Sequence, residues 1–268
     1  MQKVALCVIG RNENRYAREF VEHHLGIGFD KIIIYDNNRV GEESLDDVLH
    51  DLVVEGKVDI ILWPKDGYFM LPTYADCYAR YGGSYDWILY LDFDEFLYVN
   101  DGDVHDFLAK HKAECVSVNW ETYGDSGLVT YDDRPLKVRF TEPLRGEDGR
   151  SESYPGNVHV KSFIRGGLRK IHWPNPHCPA GCHSYAAPDG SPRRCDPWHK
   201  DVRYDVARIK HYTCKTIEEW MLNKVARGQI DCKANSDRLR QNAIDIFFSM
   251  NERTKEKDEW LFNNGFII

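Results

Sequence analysis

Three acids stand among four residues where Asp92, Phe93, Asp94 and Glu95 follow the apolar run Trp87–Leu91. Carboxylates this close repel one another, and each loses hydration beside a core. A divalent cation removes both penalties, and hard oxygen ligands suit Mg²⁺ or Mn²⁺. The segment therefore reads as a metal site at the carboxyl end of a strand, where open α/β sheets bind ligands. The bland alternative is a solvated acidic turn, because Asp-x-Asp alone is a weak motif. The preceding strand favours the metal.

A second group of chemistry-bearing residues lies between Asn175 and Pro197, rich in Pro, Cys, His and Gly. His177, Cys178, Cys182 and His183, with Cys195 beyond, offer ligands for zinc. The Cys-x-x-x-Cys spacing is loose and no second pair follows, so packed thiols are expected. Basic residues gather in the middle of the chain: Arg134, Lys137, Arg139, Arg145, Arg150, Lys161, Arg165, Arg169 and Lys170. They read either as a solvated face or as a surface for an anionic diphosphate or an acidic glycan. Trp120, Trp173 and Trp198 are each candidates for stacking on sugars, although buried packing is the commoner use of tryptophan.

The elements that must position these residues alternate in the first third of the chain. Val4–Ile9, Lys31–Tyr35, Val58–Trp63 and Trp87–Leu91 read as strands. Ala17–Leu25, Leu45–Val54 and Tyr74–Tyr81 read as helices between them, with Ser44 as a cap and Gly26, Gly28, Gly56 and Gly82 as stops. Alternation of this kind predicts a mostly parallel sheet with helices on its faces. Polar groups follow each strand: Arg11-Asn12-Glu13, Asp36-Asn37-Asn38, Lys65-Asp66, then Asp92–Glu95. Agreement across four strands is a stronger signal of one shared crevice than any single motif. No Gly-x-Gly-x-x-Gly follows the first strand and no P-loop motif occurs, which disfavours both of those nucleotide folds. Beyond residue 100, Val104–Lys112, Thr216–Arg227 and Ser236–Asn251 read as helices. Cys115–Trp120, Leu136–Phe140 and Val158–Ile164 read as strands, and 175–197 reads as a long ordered loop.

An ordered set of motifs across residues 4 to about 228 resembles the GT-A glycosyltransferases, and most of all family 92 with its bacterial relatives near family 2. The set is Arg11-Asn12-Glu13, the run from Glu22 to Asn38, the run from Asp86 to Leu97, Tyr123–Gly127, Asn175–Cys178, Ile209–Trp220 and Arg227-Gly228. The last forty residues add nothing to it. The resemblance implies a GT-A-like α/β fold, that of nucleotide-diphospho-sugar transferases. Its mostly parallel central sheet is flanked by helices, with a helical C-terminal elaboration. The organisation expected is a catalytic domain over 1–228, with a nucleotide-binding half (1–100) and an acceptor half (101–228), followed by a helical extension (229–268).

The same resemblance implies the roles. Such enzymes move a sugar from a nucleotide diphosphate to a hydroxyl, and a divalent metal clamps the diphosphate. Asp94 is the implied metal ligand, with His211 as a late ligand that suits Mn²⁺ better than Mg²⁺. Asp92 sits against the ribose or a metal-bound water, and Glu95, a departure from the pattern, supports or shares the ligation. Lys215 lies four residues beyond His211; on a helix the two share a face, and Lys215 then meets a phosphate oxygen. Arg11, Glu13 and Lys65 belong to the nucleotide-sugar pocket, and Asp36 accepts from the uracil N–H. His177, Trp120 and Trp173 are the acceptor or diphosphate contacts. Asp125 is the first choice of general base for an inverting transfer, with Glu121 in reserve.

The chain has 268 residues and a formal net charge of -8, enough for a large core and unfavourable to nucleic acid as a partner. No apolar run approaches a membrane span, and eight cysteines without a secretion signal are expected to remain thiols. A cytoplasmic enzyme is expected, at or near the inner face of the membrane. It would transfer a hexose, galactose first, from a UDP-sugar to a glycan or lipid-linked glycan in surface polysaccharide synthesis. Two rivals remain. A haloacid-dehalogenase-like phosphohydrolase also ends an apolar strand in Asp-x-Asp, yet it expects Thr or Val where this chain has Glu95 and Phe96. A non-catalytic sugar-nucleotide or glycan-binding module would keep the same residues.

Overall fold

The computed structural model describes residues 2–64, 70–226 and 233–251, with Lys257 and Asn263. Lys65, Asp66, Arg227 and Gly228 lie outside the described residues. The first half runs β1 (Val4–Gly10), α1 (Asn14–Gly26), β2 (Lys31–Asp36), α2 (Asp46–Val54), β3 (Val58–Leu62), α3 (Met70–Tyr81) and β4 (Trp87–Leu91). It continues with β5 (Glu95–Val99), α4 (Val104–Ala109), β6 (Cys115–Thr122), a short α5 (Leu136–Arg139) and β7 (Val160–Arg165). Two brief strands follow, β8 (Tyr185–Ala186) and β9 (Pro192–Arg193), then β10 (Ala207–His211). A helical segment opens as α6 (Ile217–Glu219) and widens to a π-helix over Trp220–Ala226; α7 (Lys233–Gln241) and α8 (Ala243–Met250) complete the described elements.

The sheet order is β3-β2-β1-β4-β7-β6-β10-β5, with β8 paired to β6 and β9 to β8. β1, β2, β3 and β4 are mutually parallel, whereas β7 is antiparallel to both β4 and β6. From β1 the chain winds out through β2 and β3, then returns to place β4 on the other side of β1. That reversal makes the carboxyl ends of β1 and β4 a topological switch point, the place where such sheets open a crevice. Sequence alternation explains the two-sided core. Val4, Leu6 and Val8 face one cluster with α1 and α2, while Ala5, Cys7 and Ile9 face the other with α3. β4 is buried along its whole length, as a central parallel strand must be.

The expectation of a mostly parallel α/β sheet flanked by helices describes this architecture, and the four leading strands match their predicted spans closely. Several later readings are corrected. Leu136–Phe140 is not a strand but the turn of helix α5, since Arg139 turns inward to a buried partner. The predicted 216–227 helix is α for three residues only before it becomes π, and 236–251 is two helices broken at Asn242. β5 and β10 were not anticipated, and β10 is the strand that carries His211. The basic residues do not form one face. Arg134 and Arg150 pair with neighbouring acids in solvent, Arg139 and Lys161 are buried, and Arg165 lies over the Trp87 ring.

Candidate nucleotide-sugar site

A cleft of about 360 Å³ opens at the switch point, lined among others by Gly10, Glu13, Asp92, Asp94, Trp120 and His211. Parallel pairing aligns Val8 with Leu91, so Gly10 ends β1 level with Phe93. A Cβ on Gly10 would stand 2.4 Å from the Phe93 ring, which only glycine avoids. Phe93 anchors the acidic turn by packing against Phe20, with ring centroids 5.0 Å apart. The acids on either side of it both line the cleft.

β10 explains how a residue 117 positions away reaches Asp94. It runs antiparallel to β5, which starts inside the acidic motif, and its register sets His211 opposite Glu95. The Tyr212 N–H donates to the Asp94 carbonyl at 2.8 Å. His211 Nε2 then stands 3.7 Å from Asp94 Oδ1, too long for a hydrogen bond. Its Nδ1 is buried without a hydrogen-bond partner. Burial pushes the His211 imidazole down to about 3, against the pull of Asp94, so the ring is neutral and keeps a lone pair. Asp94 is held the other way. Burial opposes its ionisation, but Lys224 and Lys215 outweigh this and keep the carboxyl well below its usual range. Lys224 Nζ donates to Asp94 Oδ2 at 2.7 Å, and Lys215 Nζ lies 3.9 Å from the same oxygen.

Asp92 does not join Asp94 and His211. Its Oδ2 accepts from Lys161 Nζ at 3.0 Å, and its backbone N–H donates to Glu95 Oε2 at 2.9 Å. Lys161 is fully buried and also lies 3.5 Å from Glu95. Burial raises the Glu95 carboxyl despite Lys161, while Asp92 and Glu95 outweigh burial to keep Lys161 charged. Glu95 thus braces the turn from beneath and lies outside the cleft wall. Among the described residues, no group of three or more His, Cys, Asp or Glu side chains is disposed to hold a metal. Asp94 and His211 nevertheless suit a cation bound as Mg²⁺ and Mn²⁺ are in phosphate sites, by one or two protein ligands plus substrate oxygens. The ionised carboxylate, the neutral imidazole and the orphaned nitrogens and oxygens of His211 and Asp92 fit that chemistry.

One wall of the cleft is aromatic. Trp120 lies 4.1 Å from His211 between ring centroids and stacks on His159 at 4.9 Å and 23°. His159 in turn meets Trp198 at 6.2 Å, and that tryptophan is 57% exposed. His177 Nδ1 bonds the Val160 carbonyl and His159 Nδ1 the Gly156 carbonyl, both at 2.9 Å. A carbonyl only accepts, so each Nδ1 carries the proton and each Nε2 offers a lone pair. Burial pushes His177 down to about 3, so it is neutral.

Other expected site residues stand elsewhere. Trp173 packs among Tyr74, Tyr78 and Tyr90 in the core beside α3. Glu121 alternates with Trp120 and Thr122 along β6, so it faces away from the cleft and accepts from the Tyr123 hydroxyl at 3.0 Å. The Asp125 carboxylate accepts from the Gly127 N–H at 3.0 Å within its own turn and is off the cleft wall. Asp36 caps its own loop, accepting from the N–H groups of Asn38 and Leu45 at 2.9 Å each. Arg11 pairs with Glu42 at 2.8 Å. Lys215 is not helical and shares no helix face with His211; it sits at φ 54° behind Asp94, with its ammonium 4.5 Å over the Tyr16 ring. Lys161 and Lys224 escaped the sequence reading as site residues, since nothing local to either sequence marks it. In the Cys/His loop, Cys178 Sγ lies 3.6 Å from Cys195 Sγ, and Cys115, Cys178, Cys182 and Cys195 are all free thiols.

The doubly wound sheet with an acid pair at its switch point agrees with the GT-A-like α/β architecture expected from the sequence. Residues 2–166 match the sequence model of glycosyltransferase family 92, and the chain belongs to that family. A family 92 protein of Ricinus communis is 27% identical over 147 residues, which is 52% of this chain and 26% of that protein. One of Oryza sativa subsp. japonica is 31% identical over 99 residues, 35% of this chain and 16% of the relative. The chain therefore spans well under half the length of either. Staphylococcus aureus TarS 1-349 in complex with UDP-GlcNAc aligns at 14% identity and a TM-score of 0.40, over 75% of this chain and 61% of that one. A likeness at that level carries no argument about chemistry. The matched segment includes Glu13, Asp92, Asp94 and Lys161 but stops before His177, His211 and Lys224.

Proposed function

We propose that the protein is a glycosyltransferase that takes a hexose from a UDP-sugar, with galactose the first donor to try, and moves it to a glycan or lipid-linked glycan hydroxyl. The observation that carries the reading is the meeting of Asp94 and His211 at the β1/β4 switch point. Asp94 and His211 would hold Mn²⁺ or Mg²⁺, which when bound offsets the charge that grows on the departing diphosphate. Glu13, on the cleft wall just beyond β1, would meet the ribose. Lys161 fixes Asp92 so that the turn keeps its shape as charge changes beside it.

On the other wall, the stacked pair of Trp120 and His159 would meet the acceptor sugar. The acceptor oxygen bonds to the anomeric carbon as the bond from that carbon to the diphosphate breaks, and the hydroxyl proton leaves to a base. Asp125 and Glu121 lie off the cleft wall, so this reading gives the proton to His159 Nε2, with His177 packed beside that ring at 5.1 Å between centroids. Inversion at the anomeric carbon follows if donor and acceptor sit on opposite faces of the sugar. Work on surface polysaccharide at the cytoplasmic face of a membrane is part of the same proposal; no described helix is long and apolar enough to cross a membrane. Family membership displaces the phosphohydrolase alternative. The test is UDP release from a panel of UDP-hexoses with glycan acceptors, in Mn²⁺ and in EDTA. Sugar transfer with one donor supports the reading, and binding without turnover across the panel favours the non-catalytic module.

A further inference from the structure

We infer that Lys224 is a donor-diphosphate ligand that neutralises Asp94 until the donor arrives, so that nucleotide and cation enter the site together. This rests on the nucleotide-sugar reading above. The two oxygens of Asp94 are divided between partners. Oδ2 takes the Lys224 ammonium at 2.7 Å, and Oδ1 faces His211 at 3.7 Å. A cation on Oδ1 and His211 would stand beside a fixed ammonium, and like charges in a low-dielectric cleft repel strongly. A diphosphate between them removes that repulsion, because its oxygens satisfy both.

Of the two lysines near Asp94, Lys224 alone lines the cleft. The Lys215 side chain is 4% exposed and that of Lys224 is 20% exposed. Lys224 also lies on the wall of a second cavity of about 700 Å³, which shares His159, Thr213 and Met250 with the cleft and adds Trp220 and Arg238. Its ammonium therefore lies where the two spaces share a wall, on a four-carbon stem. The π-helical turn that carries it is a form frequent at functional sites. Upstream, Glu219 fixes that turn through a capping box with Thr216 and a buried ion pair with Arg139. A compact ammonium on a flexible stem suits a phosphate oxygen as well as a carboxylate.

Calorimetry on the full chain tests this with Mn²⁺ alone and with UDP at saturating Mn²⁺. Lys224→Met is expected to bind Mn²⁺ alone at least about tenfold tighter than wild type, and UDP at least about tenfold weaker, the loss of one charge-assisted hydrogen bond. Lys224→Arg keeps the charge and is expected to stay near wild type in both titrations. Lys224→Gln replaces Lys224→Met if the latter does not melt as wild type does. A neutral variant whose UDP affinity stays within about twofold of wild type, or whose Mn²⁺ affinity does not rise, overturns the inference while leaving the nucleotide-sugar reading intact. Wild type that binds no UDP in Mn²⁺ overturns both.

Discussion

Glu219 is the residue on which the placement of the Lys224 turn depends, and its replacement by Gln tests the fold around the site without touching the cleft. Its carboxylate accepts from Arg139 at 2.9 and 3.1 Å, from Thr216 Oγ1 at 2.7 Å and from the Tyr16 hydroxyl. Both members of the ion pair have side chains 1% exposed. Glu219→Gln keeps the shape but leaves the Arg139 guanidinium buried without its counter-charge. Breaking a buried pair this way costs about 3–5 kcal/mol, or a fall in melting midpoint of roughly 6–20 °C for a chain of this size. Urea denaturation followed by circular dichroism measures it, with Arg139→Met/Glu219→Met as the partner variant. Replacing both groups together is expected to recover part of the loss. Burial opposes ionisation of Glu219, but its bonds from Arg139, Tyr16 and Thr216 outweigh this and lower its folded value. A lowered folded value means stability that is full above the unfolded value of about 4.3 and lost as pH falls through the folded one. The gap between wild type and Glu219→Gln should therefore narrow below about pH 4. A loss under about 1 kcal/mol at neutral pH would refute the idea that this pair holds the segment. UDP affinity should fall in the same variant, since Lys224 lies five residues downstream.

Two further outcomes separate core from cleft. Trp173→Ala removes a ring packed on three tyrosines and should cost about 3–5 kcal/mol of stability while leaving UDP affinity unchanged in calorimetry; weakened UDP binding with intact stability would return Trp173 to the site. Asp125→Asn preserves an acceptor for the Gly127 N–H and should leave turnover within about tenfold of wild type, whereas His159→Ala should lower kcat by roughly 10²-fold or more. Abolished transfer in Asp125→Asn would reinstate Asp125 as the base.

The first four strands and the acid turn were legible because their signal is local. A run such as Trp87–Leu91 is buried on both faces, and the acids begin where it ends. What the sequence concealed depends on long-range pairing. His211 reads like a helical neighbour of Lys215 until β10 pairs with β5, a strand hidden behind the acidic motif. Arg139 looks like one member of a basic patch, and only Glu219, 80 residues on, draws it inside. Asp36 and Arg11 carry a second use that the sequence does not separate from ligand binding. Polar residues after a strand also serve their own loops, here the N–H groups of Asn38 and Leu45 and the carboxylate of Glu42. Glu121 and Trp120 adjoin in sequence but, on a strand, face opposite ways.

The central claim is that Asp94 organises a metal-dependent nucleotide site at the β1/β4 switch point. UDP titrated calorimetrically into wild type and Asp94→Ala, each in Mn²⁺ and again in EDTA, tests it most directly. The account predicts binding by wild type in Mn²⁺ that EDTA abolishes and that Asp94→Ala loses. Equal UDP affinity in the two proteins, or binding indifferent to EDTA, would contradict it.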